Sequence, residues 1–132
     1  MNHDQHATDA RPPIGSCIHV LLFQDIPGVW IGRGLEHDLL TEARTIGEAL
    51  RGVVRLIEAH TAFDLRHRRT PLSAFGAAPH SFWNAFTSGT PLNLAQLGIG
   101  QPHAWRIVAA IGDRRPRMAL AQFREIGARA SA

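Results

Sequence analysis

The sequence predicts an α+β domain: three or four antiparallel strands, one long helix packed on one face, and a C-terminal extension. Three observations carry this expectation. Apolar runs at 16–25, 29–36 and 38–43 are joined by five residues or fewer, as antiparallel hairpins require. Residues 45–60 then switch to helical periodicity. A Pro- and Gly-rich stretch, 71–91, breaks that pattern before a compositionally different segment, 92–132.

The first element is "SCIHVLLFQD", 16–25. Ile18, Val20 and Leu22 take one face and His19, Leu21 and Phe23 the other, so the strand is apolar on both sides and belongs at the centre of a sheet. His19 reads as a packed histidine with one hydrogen bond. "IPG", 26–28, is a turn in which Pro27 presets φ and Gly28 accepts a positive one. "VWIGRGLE", 29–36, is the second strand. Its two glycines, Gly32 and Gly34, leave room for a helix or another backbone to approach, or mark a bulge. A short third strand follows at about 38–43.

"TIGEALRGVVRLIEAH", 45–60, is the clearest element. Thr45 is the N-cap and Glu48, three residues on, completes a capping box in which its carboxylate takes the Thr45 backbone N–H. Ile46, Ala49, Leu50, Val53, Ile57 and His60 form one stripe, with Arg51, Arg55 and Glu58 outside it. The helix continues toward 69 until Pro71 stops it. Pro79 starts a second, short helix in which Phe82, Trp83 and Phe86 share a face, and Gly89 ends it. "LGIGQP", 97–102, is a turn. Trp105, Ile107, Ala109 and Ile111 alternate as a strand, "GDRRPR" reads as a hairpin tip and "MALAQF" as its second strand. The organisation expected is a tail at 1–13, an α+β domain at 14–90 and an extension at 91–132.

The chain has 132 residues and 45% hydrophobic content, enough for a core and too much for a disordered chain. No run approaches the ~20 apolar residues of a membrane span, and residues 1–13 lack the apolar core of a secretory signal. A cytoplasmic protein with no membrane partner and no cofactor is the expectation. The single cysteine, Cys17, excludes an internal disulfide framework and reads as an inert core thiol.

All 14 basic side chains are arginine, and the formal charge is only +3. Their clustering matters more than their sum. "RHRR" supplies Arg66, Arg68 and Arg69; "RRPR" supplies Arg114, Arg115 and Arg117. Such clusters suit nucleic-acid phosphates or an acidic protein partner.

The acidic residues invite a nuclease reading. Asp25, Asp38 and Glu48 are the carboxylates from which a two-metal site would be drawn. Each also has a structural reason to exist: Asp25 precedes a turn, Asp38 lies on an exposed strand face beside Glu36, and Glu48 caps a helix. His37 and Asp38, adjacent on a strand, would point to opposite faces. No Gly-x-Ser-x-Gly elbow occurs. Catalysis is not expected.

Within 28–60, "GVWIGRGLEHDLLTEARTIGEALRGVVRLIEAH", the chain resembles the HicB antitoxin family. Thr45, Glu48, Ala49 and Leu50 match the family's Thr-x-x-Glu-Ala-Leu helix opening, and "IHVLLFQD" stands where its first strand stands. The resemblance covers about 17–62. It implies a partial RNase H-like fold that acts as an antitoxin by occluding a small ribonuclease toxin, without chemistry of its own. The family's fourth strand has no clear counterpart in 62–90, and 92–132 shows no helix-turn-helix or ribbon-helix-helix DNA reader. The alternative is a stand-alone interaction or nucleic-acid-binding protein; a metal-dependent nuclease ranks third. A homodimer or higher oligomer is expected, because the apolar alternation after residue 91 needs a partner.

Overall fold

The computed structural model describes residues 16–102 and 104–112. Five strands form one sheet: β1 (Cys17–Ile26), β2 (Val29–Gly34), β3 (Leu39–Ala43), β4 (Thr90–Leu92) and β5 (Arg106–Ile111), in the order β3-β2-β1-β5-β4. Helix α1 (Ile46–Arg66) follows β3, and α2 (His80–Thr87) precedes β4. The expectations for residues 1–13, the hairpin tip beyond Gly112 and a strand at 118–123 lie outside the described residues.

The hairpins β1–β2 and β2–β3 are antiparallel, as their short links dictate. The all-antiparallel sheet of three or four strands is corrected in one respect. β5 lies parallel to β1, pairing Ile18 with Ile107 and Leu22 with Ile111, while β4 runs antiparallel on its far side. A parallel neighbour needs a long crossover, and here most of the domain lies between the two strands. The boundary drawn at 90/91 falls inside β4, and both β4 and β5 are built into the same sheet.

β1 is the sheet's centre and is buried from both sides. Ile18, Val20 and Leu22 pack under α1 against Leu50, Val53 and Ile57. Leu21 and Phe23 pack with Ile31, Leu35 and Phe82 on the other face. Ile18, Val20, Leu21 and Leu22 are all 0% exposed. At ~1.5–3 kcal/mol per buried side chain, neither face is left open without losing energy comparable to a domain's net stability of ~5–15 kcal/mol.

Local chemistry sets the joints. Gly28, at φ 81°, takes the left-handed position after Pro27. A Cβ on Gly32 would lie 2.9 Å from Val53 Cγ2 and 3.0 Å from the Ala49 carbonyl oxygen, so the glycine lets α1 settle on the sheet. The Thr45 hydroxyl accepts from the Glu48 N–H at 3.1 Å and donates to the Glu48 carboxylate at 3.1 Å. The box therefore closes on the hydroxyl and not on the Thr45 backbone N–H.

Two boundaries differ from expectation. β2 stops at Gly34, and residues 35–38 form a turn in which Asp38 adopts φ 49°. Asp38 and His37 are turn residues, so strand alternation does not govern where they point. α1 extends to Arg66, capped at His67 well before Pro71.

Thr45→Ala should cost about 1 kcal/mol through loss of the cap. Leu50→Ala, at a fully buried site, should cost roughly 2–5 kcal/mol. Gly32→Ala should cost about 1–3 kcal/mol by overpacking. Urea melts check the ranking; a Leu50→Ala loss smaller than that of Thr45→Ala would contradict the packing of α1.

Candidate functional site

The first arginine cluster sits where α1 ends, and its loop is held from inside. Asp64 is 7% exposed. Its carboxylate accepts the Leu72 N–H at 2.8 Å and its carbonyl accepts the Arg69 N–H at 2.8 Å. Arg68 takes φ 56° to turn the chain. These bonds fix a tight loop from which Arg66, Arg68 and Arg69 all stand exposed.

The structure adds aromatic rings to that cluster. Phe63 is 42% exposed and Phe75 is 36% exposed. The His67 ring stacks on Phe63 with centroids 4.1 Å apart. The Arg69 guanidinium lies 5.8 Å from the Phe63 centroid. His60 meets Phe75 edge-on at 4.9 Å. Sequence reasoning missed Phe63 and Phe75, although Phe63 stands three and four residues before Arg66 and His67, on one helix face. Phe75 carried no such local signal. Arg114, Arg115 and Arg117 lie outside the described residues.

The aromatic group expected on α2 has a different job. Phe82 is buried, with Trp83 and Phe86 packed around the same cluster. Arg33, from β2, lies 3.9 Å over the Phe82 ring. The contact is non-local, joining residues 49 positions apart. Between α2 and the β4–β5 strands runs a cleft of about 400 Å³, with His19 in its wall beside Trp83 and Phe86.

The acidic residues separate. Glu36 accepts the His19 backbone N–H at 2.8 Å and holds His19 Nδ1 at 2.5 Å. Asp38 accepts from Arg33 Nε at 2.6 Å. Glu36 and Asp38 thus enter two separate pairs, because the turn aims them at different partners. Register pairs Val20 with Gly34 and Ile26 with Val29. Asp25 and Asp38 therefore lie at opposite ends of the hairpin, ~20 Å apart at ~3.3 Å per residue. Among the described residues no three His, Cys, Asp or Glu side chains are grouped to hold a metal ion. The described helices include none long and apolar enough to cross a membrane.

Cys17 is half-buried, and burial, with Glu36 nearby, pushes its thiol above the usual value despite the opposing Arg106. No protein-family model, curated protein or solved structure matches the chain.

Asp64→Ala should leave the buried Leu72 N–H without its acceptor and cost about 1–3 kcal/mol, with faster hydrogen exchange at Leu72. Unchanged stability would contradict the anchoring role. Cys17 should react with iodoacetamide more slowly in the native protein at pH 8 than in the urea-unfolded chain, because less thiolate is present. Equal rates would contradict the raised thiol pKa.

Proposed function

We propose that this protein works by binding and not by catalysis, and that its ligand surface is the aromatic and basic end of α1, suited to single-stranded nucleic acid. The observation that carries the reading is the exposed Phe63 ring, with His67 stacked on it, the Arg69 guanidinium 5.8 Å from its centroid, and Arg66 and Arg68 exposed in the same segment. A single strand offers that surface two things at once. Its bases stack on exposed rings, worth ~1–3 kcal/mol each, and its phosphates meet guanidinium groups. Arg is suited to both roles, because its planar group pairs with phosphate and stacks on π faces. The loop is prepared for contact, since the buried Asp64 holds it before any ligand arrives.

A second reading keeps the HicB-like antitoxin, which would occlude a small ribonuclease toxin. What supports it is the order of elements: a β1–β2–β3 meander, then α1, then a strand parallel to β1. On this reading β5, which pairs parallel with β1, would stand for the family's fourth strand.

Fluorescence anisotropy with labelled 20-nucleotide single strands tests the first reading. Phe63→Ala should weaken binding by about tenfold. Replacing Arg66, Arg68 and Arg69 with Gln should lower the slope of log K against log salt by about two, at ~0.7 per phosphate contact. Absence of binding at low salt, or binding indifferent to both variants, would reject it. Recovery of one small stoichiometric partner on pull-down from the native host would instead favour the antitoxin reading. Neither reading expects a thermal shift with magnesium or manganese; metal-dependent RNA cleavage lost in Asp38→Asn would overturn both.

A further inference from the structure

The two edges of the sheet differ in how they are protected. β4 is three residues long with Pro91 at its centre, a short edge that lacks one donor. β3 is five residues long, has no proline, and pairs with β2 without a register shift. On it stands Leu40, 55% exposed. An unblunted edge bearing an apolar side chain is a template for another strand.

Helix α1 lies above the same edge. Thr41 Oγ1 donates to the Ala49 carbonyl oxygen at 2.8 Å, and a Cβ on Gly52 would lie 3.1 Å from Thr41 Cγ2. Ala49 and Gly52 therefore lie close over Thr41, the middle residue of β3. Between strand and helix runs a groove of about 550 Å³, with Leu40, Glu48, Gly52, Arg55 and Leu56 among its walls.

We propose that this β3–α1 edge is a two-fold interface with a second copy of the chain, in which β3 pairs antiparallel with itself about Thr41. Strand length and charge select that register. Centred on Thr41, all five residues of β3 are paired, with Leu39 facing Ala43 of the second copy and Leu40 facing Glu42. Centring on Leu40 or on Glu42 would shorten the ladder, because Asp38 turns away to Arg33, and centring on Glu42 would also set that carboxylate against itself. Like charges directly opposite are unfavourable.

The helices fit the same axis. α1 packs mainly over β3 and β2. With strands ~4.8 Å apart, a two-fold half a spacing outside β3 puts the two helix axes roughly 10 Å apart, a normal helix-packing distance. Gly52, which lets α1 sit close on Thr41 of its own strand, lies at the level of the axis. The helices run antiparallel, so Glu48, four residues before Gly52, faces Arg55, three residues after it, and the pair occurs twice.

Sedimentation equilibrium at roughly 100 µM and below tests the proposal on the full chain, with far-ultraviolet circular dichroism as the folding control. The wild type should be a dimer. Leu40→Glu, which sets a carboxylate against Glu42, should be a folded monomer. Arg55→Glu and Glu48→Arg should each weaken the dimer by about tenfold or more, because each leaves only like-charged pairs. Their equimolar mixture should recover it, since every Glu then faces an Arg. A wild-type monomer, a Leu40→Glu variant as dimeric as the wild type, or a mixture no tighter than its components would each overturn the interface.

Discussion

The burial of β1 on both faces is the constraint from which the rest of the molecule follows. A strand apolar on both sides needs a cover above and below and a neighbouring strand on each edge. α1 supplies one cover and α2 the other; β2 supplies one neighbour and β5 the second. The long excursion between α1 and β5 is the chain's route from one side of β1 to the other. Within it lie the Asp64-anchored loop, α2 and β4. The features open to partners are by-products of that covering. The last turn of α1 buries Asp64 on its inner side and leaves Phe63 exposed on its outer side. α1 also lies toward the β3 side of the sheet, so its flank and that edge make one surface.

Much of this was legible in the sequence, for local reasons. The alternation of Ile18 to Phe23 placed β1 at the centre. Pro27 and Gly28 located the first turn, Thr45 and Glu48 the start of α1, and Pro79 the start of α2. What was not legible is non-local. Nothing in "RIVAAI" states that its partner is β1 or that the pairing is parallel. Turn chemistry at 35–38 was also missed. Glu36 reads as a strand residue until its carboxylate is seen to hold both the backbone and the ring of His19, seventeen residues away. The C-cap and loop after Arg66 depend on Asp64, a carboxylate that looked like one more polar residue on a helix.

The candidate site followed the same division. The arginines of "RHRR" were visible as a run of charge. The rings that give the run a use were not, because Phe63 reads as an ordinary helix position and Phe75 as part of a loop. The fold alone brings Arg69 back over Phe63 and sets Phe75 against His60. Conversely, three of the four acidic residues at 36–48 enter ordinary pairings: Glu36 with His19, Asp38 with Arg33, and Glu48 with Thr45. Spacing along the chain was a poor guide there, because a turn directs neighbouring side chains to different partners.

We propose that the end of α1 and its Asp64-anchored loop form the ligand surface, and hydrogen exchange by mass spectrometry, with and without a single-stranded oligonucleotide, tests that assignment. Exchange should slow across residues 63–75 when the oligonucleotide is present, with the interior of the sheet unchanged. Protection that falls elsewhere, or no change at an oligonucleotide concentration that saturates binding, would contradict it.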